Sequence, residues 1–245
     1  MVLPLFQHQF SAIPAVGQAV SLDGAEAKHA IGVRRMRVGE GIQLANGLGL
    51  RVIGSVAAIA TNSLQINVEQ VVQEQAPQPS ICLAQALAKG DRDEMAVQAG
   101  TELGIMSGIP WQADRSVSRW EGAKVEKGVS RWQTIAAEAA KQALRAFSPI
   151  VEQPVSTKQI AGRVADFAAV FVLDPTAELS LSKVDLPTSG KIALVVGPEG
   201  GISDNELNIL QSTGAIRVHL GSSILRTSTA GLAAISVIES RLGRW

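Results

Sequence analysis

Three short, unbroken apolar runs constrain this chain most: FAAVFVL (167–173), KIALVV (191–196) and AIRVHL (215–220). Runs of that length without polar alternation suit strands covered on both faces, the situation in a parallel sheet. ICLAQAL (81–87) reads the same way. Helical stretches alternate with these strands. DRDEMAVQAGTELG (91–104) is closed by Gly104, and SRWQTIAAEAAKQALRAF (130–147) gathers Trp132, Ile135, Ala139 and Leu144 on one apolar face. A further helix is expected over about 203–212 and a last one over roughly 227–242. The alternation predicts an α/β domain.

The first seventy-odd residues follow a different rhythm. IQLANG (42–47), RVIGSVAAIA (50–59) and LQINVEQVV (64–72) are β-branched runs divided by Gly- and Asn-containing turns. Leu64, Ile66 and Val68 alternate with Gln65, Asn67 and Glu69, which marks a strand with one buried face. GAEAKHAIGVRRMR (24–37) suits a short helix with a basic end, and EQAPQP (74–79) reads as a linker. The expected organisation is a small β domain followed by the α/β domain.

Composition narrows the function. A chain of 245 residues that is 46% hydrophobic and 18% charged is not a disordered chain. Its 22 basic and 22 acidic side chains give no global attraction for nucleic acid; residues 1–75 hold five of each and the remainder seventeen of each. The single cysteine, Cys82, has no intramolecular partner, which favours a reducing compartment. No basic stretch precedes an apolar one at the start, and no apolar run approaches the roughly 18 residues of a membrane span. A cytoplasmic protein without membrane contact is expected. His8, His29 and His219 lie far apart with no metal-binding spacing, so no metal is expected; a GxSxG elbow is absent as well.

Four stretches carry possible chemistry. In KIALVVGPEGGISDNELNIL (191–210) a strand ends at Val196, GPEGG follows, and Ser203 to Glu206 form a capping-box pattern. Strand, glycine turn and helix start leave backbone N–H groups free where open α/β sheets bind ligands, although an ordinary βα turn has the same grammar. The stretch is neither GxGxxG nor a P-loop. VHLGSSILRTSTAGLAAISVI (218–238) repeats the grammar and puts Arg226 beside Thr227, Ser228 and Thr229, either to hold an anion or carbonyl-rich base or as a surface arginine before a capped helix. Glu94, Gln98 and Glu102 share a helix face, which is a functional stripe or a solvated one. Arginine and lysine cluster at Arg34, Arg35 and Arg37 and again over 115–145; Trp120 and Trp132 offer stacking surfaces or belong to a core.

Taken in order, these stretches resemble the bacterial RsmE family, 16S ribosomal RNA (uridine-N3)-methyltransferases of the SPOUT superfamily. The resemblance runs almost end to end, through HAIGVRRMRVGE (29–40), LAKGDRDEMAVQAGTELG (87–104), Arg115-Ser116-Val117 and RWQTIAAEAAKQALR (131–145). It is most specific in LVVGPEGGISDNE (194–206) and LGSSILRTSTA (220–230). It implies a PUA-like RNA-binding β-barrel over 1–73 and a SPOUT α/β domain with a deep trefoil knot over 80–245. It also implies a homodimer acting on 16S ribosomal RNA or the small ribosomal subunit with S-adenosyl-L-methionine as cofactor. Carried over residue by residue, the cofactor pocket involves Leu173, Gly197, Glu199, Gly201, Leu220, Gly221, Ile224, Leu225 and Thr227. Arg226 is the catalytic candidate. Arg34, Arg35, Arg37, Arg115, Arg131 and Arg145 are RNA-binding candidates, and Glu94 and Gln98 support the active site. The family often has Glu where this chain has Ser228 and Lys where it has Ala99, so a carboxylate at 228 cannot take the N3 proton here. Methylation of another RNA position, or RNA binding without catalysis, are the alternative readings.

Overall fold

The computed structural model describes residues 2–245, which form two compact units: the chain up to Ala76 together with Ala140–Ser148, and Pro77–Ala139 together with Pro149–Trp245. The break falls inside EQAPQP, and 140–148 groups with the first unit although its sequence neighbours do not. Long-range bonds hold that segment there. Arg51 donates to the Leu144 carbonyl at 2.9 Å, Gly49 N–H to Ala146 O at 3.0 Å and Ser148 N–H to Gly47 O at 3.0 Å.

The first unit contains β1 (Leu5–Gln7), β2 (Ala19–Asp23), α1 (Gly24–Lys28), β3 (Gly41–Ala45), β4 (Leu50–Ile59) and β5 (Ser63–Gln73). Their order is β1-β3-β4-β5-β2, parallel only between β1 and β3. Leu64, Ile66 and Val68 are buried while Gln65, Asn67 and Glu69 are exposed, as the alternation predicts. β1 and β2 are the edge strands among the described residues, so the sheet curls into a half-barrel. The helix expected over 24–37 is shorter. After α1 the chain widens into a π-helical turn, His29–Val33, and Arg35 then adopts a left-handed φ of 54°. A non-glycine residue there ends the helix, buries Met36 and leaves Arg34, Arg35 and Arg37 in solvent.

The second unit is built from β6 (Ser80–Ala86), α2 (Arg92–Glu102), β7 (Ser107–Gln112), α3 (Ala123–Gln142, whose end from Ala140 on groups with the first unit), β8 (Ile150–Val151), β9 (Val155–Ser156), α4 (Thr157–Gly162), β10 (Ala169–Leu173), β11 (Lys191–Val196), α5 (Asp204–Ser212), β12 (Ile216–Val218) and α6 (Thr227–Arg241). All strand pairs are parallel, in the order β12-β10-β11-β6-β7-β8, with β9 also on β7. α3 stops five residues before the expected end, and Leu144 lies beyond it with a left-handed φ of 55° instead of on the helix face.

Both faces of this sheet are covered, which explains the unbroken apolar strands. Ile81, Leu83, Phe171 and Leu194 pack toward Ala96 of α2 and Ala234, Ile235 and Ile238 of α6. Cys82, Ala84, Val172 and Val195 pack toward Ile160 of α4 and Leu207 and Leu210 of α5. Burial pushes the Cys82 thiol up to about 11, so it is an inert packing residue. Beyond β12 the chain runs beside the β10–β11 connection: His219 N–H donates to Leu179 O at 2.8 Å and Leu181 N–H to His219 O at 3.0 Å. α6 then turns back over β11 and β6. Among the described residues no helix is long and apolar enough to cross a membrane.

Candidate active site

A cleft of about 420 Å³ opens at the carboxyl ends of β10, β11 and β12, the position at which open α/β sheets bind ligands and a volume within the small-molecule range. Two loops wall it: GPEGG (197–201) after β11, and LGSSILR (220–226) before α6. Leu173, Gly197, Glu199, Gly201, Leu220, Gly221, Ile224, Leu225 and Thr227 all lie on its walls, as does Arg226.

The first loop is held at its far end by the capping box of α5. Ser203 Oγ accepts from Glu206 N–H at 3.2 Å, and Glu206 Oε2 accepts from Ser203 N–H at 3.0 Å. The buried Glu206 also accepts from Thr157 Oγ1 at 2.7 Å and from Asp114 N–H at 2.9 Å, tying α4 and the loop after β7 to the same point. A side chain at Gly197 would put Cβ 2.6 Å from Ile202 Cγ1, so the turn closes only with glycine there.

Each carboxylate in the cleft is already matched to a cation. Glu199 accepts from Lys89 N–H at 3.1 Å and Arg92 at 2.9 Å. Burial opposes its ionisation, but backbone N–H donors and the Arg92 guanidinium outweigh this and hold it below its ordinary value. Asp174 accepts from Arg217 Nε at 2.7 Å and from Thr176 N–H at 2.9 Å; these likewise overcome burial and keep the carboxyl low. Among the described residues Arg226, the residue before α6, makes no side-chain hydrogen bond or ion pair, which leaves it the unmatched guanidinium of the cleft. Thr227 differs again. Its hydroxyl donates to Gly197 O at 2.7 Å and accepts from Gln85 Nε2 at 2.8 Å, so the side chain is spent on protein partners.

Residues 74–239 match the model of a family described as the RNA methyltransferase domain, and 22–69 match that of the RNA methyltransferase PUA domain. The ribosomal RNA small subunit methyltransferase E of Mycobacterium bovis is 37% identical over 100% of this chain and 94% of its own length. The chain belongs to the ribosomal RNA small subunit methyltransferase E family. The Bacillus subtilis member is 33% identical, covering 89% of each chain. A crystal structure of the Neisseria gonorrhoeae member bound to S-adenosyl methionine superposes with a TM-score of 0.86 at 26% identity, covering 98% of both chains.

The remaining residues singled out by this family's motifs lie elsewhere. Glu94 and Gln98 do not line the cleft. α2 turns Asp93, Ala96, Val97 and Gly100 inward, and its opposite side carries Glu94 in a two-pronged pair with Arg131 and Gln98 3.5 Å from Glu102. Arg131 is therefore already engaged, and that carboxylate raises its pKa further. Arg115 donates to Gly200 O at 3.0 Å and lies against the glycine turn. Arg145 belongs to the first unit's 140–148 segment, while among the described residues Arg34, Arg35 and Arg37 make no side-chain hydrogen bond or ion pair. Trp132 is buried with Trp120 edge-on at 5.3 Å, so this pair is core and not a stacking platform. Sequence reasoning missed Arg92, Asp174 and His219 on the cleft walls and Gln85 beneath them. The signal for Gln85 was legible: it is the lone amide inside the apolar run ICLAQAL.

Proposed function

We propose that this chain transfers the methyl group of S-adenosyl-L-methionine to N3 of a specific uridine in 16S ribosomal RNA of the small ribosomal subunit. The observation that carries this reading is the unmatched Arg226 in a cleft whose two carboxylates each have an arginine. Fit to the cofactor is supported by the second loop: among the described residues no backbone N–H from Leu220 to Leu225 donates to a protein acceptor, and Ile224 and Leu225 offer apolar surface beside these donors. When bound, the cofactor supplies an electrophilic methyl group. Gly197, Gly201 and the 220–225 backbone would hold it, with Leu173 on the same cleft wall.

Uridine N3 must shed its proton before it becomes a good nucleophile, and the resulting charge spreads onto the two neighbouring carbonyl oxygens. Arg226 donates to one of those oxygens and stabilises that charge, leaving N3 open to the methyl group. Asp174 and Glu199, held below their ordinary values by their partners, are weak bases, and residue 228 is serine; the proton passes to water. Orientation within the two loops supplies the rest.

In this reading the PUA-like RNA-binding domain corresponds to about 1–73 and the SPOUT domain to about 80–245. Arg34, Arg35 and Arg37 contact RNA phosphates, supported by their exposure and, among the described residues, by guanidinium groups that form no ion pair. The pairing of His219 with Leu179 and Leu181 in the β10–β11 connection supports a trefoil knot, an exception to the usual absence of threaded chains. A cytoplasmic homodimer completes the reading, supported by Ile224 at 81% exposure on the cleft rim. The test is incubation with labelled S-adenosylmethionine and small subunits or naked 16S RNA, followed by nucleotide mapping. Label at uridine N3 upholds the assignment, label at another nucleotide replaces the substrate, and no label removes the enzyme reading.

A further inference from the structure

The least expected side chain in the second unit is Gln85. β6 lies inside the sheet, and its other residues from Ile81 to Ala86 are apolar, yet position 85 carries an amide with no solvent exposure. Its Nε2 donates to Ala86 O at 3.2 Å and to Thr227 Oγ1 at 2.8 Å, while Oε1 has no partner among the described residues. A buried amide with an empty acceptor works against folding, and an apolar side chain of similar size suits the surrounding core better. What the amide does achieve is directional. A threonine hydroxyl has one hydrogen; because Oγ1 accepts from Gln85, that hydrogen is committed to Gly197 O, 2.7 Å away. The bond joins the first residue of GPEGG to the first residue of α6, and Arg226 is the residue immediately before it.

We infer that Gln85 and Thr227 are positioning residues: together they hold the two cleft loops at a fixed separation and aim Arg226. This deepens the proposed methyl transfer, but the tie itself exists without ligand and is tested without one. Hydrogen–deuterium exchange on the full-length chain compares wild type with Gln85→Leu. The expected result is roughly tenfold faster exchange confined to 197–201 and the first turn of α6, with an undiminished melting temperature because the empty acceptor is gone. Thr227→Val gives the same local loosening, and Thr227→Ser, which restores a hydroxyl, reverses it. Unchanged exchange in Gln85→Leu and Thr227→Val overturns the inference. So does loosening spread across the whole sheet with a lowered melting temperature, since that marks an ordinary core defect. If Gln85→Leu does not fold, the Val and Ser variants at 227 decide alone. Calorimetry then reads the consequence: S-adenosylmethionine binds about tenfold more weakly to Gln85→Leu. A wild-type chain that binds no S-adenosylmethionine sinks the proposed function and leaves the exchange result standing.

Discussion

Replacing Arg226 by alanine separates the role of this residue in binding from its role in the reaction. Its guanidinium has no partner among the described residues, so removal strands no buried carboxylate and leaves the fold intact. The loss falls on whatever occupies the cleft. A positive charge about 4 Å from a developing negative one is worth about 4 kcal/mol at an effective dielectric near 20. The guanidinium is exposed before RNA seats, so part of that is screened, and a loss of about 3–4 kcal/mol corresponds to roughly 10²–10³ in kcat. The assay is single-turnover methyl transfer to small ribosomal subunits at saturating cofactor, with cofactor Kd measured separately by calorimetry. The expected outcome is a kcat two to three orders of magnitude lower (about 10²–10³) with Kd nearly unchanged. Raising pH supplies the N3 anion from solution, so the variant recovers part of its rate at alkaline pH more steeply than the wild type. Arg226→Lys keeps the charge but not the fork of donors and falls between the two. The opposite split refutes the reasoning: a large rise in cofactor Kd with normal kcat assigns Arg226 to the cofactor carboxylate instead of the uracil.

Other perturbations test the surrounding structure. Glu199→Gln loosens Lys89 and Arg92; the pair is partly exposed, so chemical denaturation detects less than about 1 kcal/mol of lost stability, while cofactor Kd rises severalfold. Glu206→Ala strips the buried anchor from Ser203, Asp114 and Thr157, costing about 3 kcal/mol and lowering Tm by about 6–12 °C in calorimetric scans. Asp93 is pushed up to about 6 by burial, which its backbone hydrogen bonds only partly offset. The folded state therefore binds this proton more tightly than the unfolded one, and stability falls as pH rises from about 4 through about 6. Asp93→Asn removes that slope, so its Tm advantage over wild type is present at pH 7 and absent at pH 4; an equal difference at both values disproves the assignment. Changing Arg34, Arg35 and Arg37 together to alanine weakens subunit binding and flattens its salt dependence, read by filter binding, with cofactor Kd unaffected.

What was legible in the chain is what short separations determine. The capping box at Ser203 and Glu206 spans three residues, and β11 begins and ends where its apolar run does. Gly104, with a φ of 117°, closes α2 as its position implies. The motifs also drew every cofactor candidate and Arg226 to one cleft. What stayed hidden is how charge is used, because that depends on partners far apart in sequence. Glu94 and Arg131 are 37 residues apart, Arg92 and Glu199 107, and Gln85 and Thr227 142. Along the chain, Arg131 and Arg115 look as available to RNA as Arg34 or Arg226. In the fold, a carboxylate takes the first and a backbone carbonyl engages the second. Equal numbers of acidic and basic side chains therefore say little about where charge is free: among the described residues Arg226 in the cleft and Arg34, Arg35 and Arg37 on the first unit have no side-chain ion pair, and under the proposed function these are the positions expected to meet RNA.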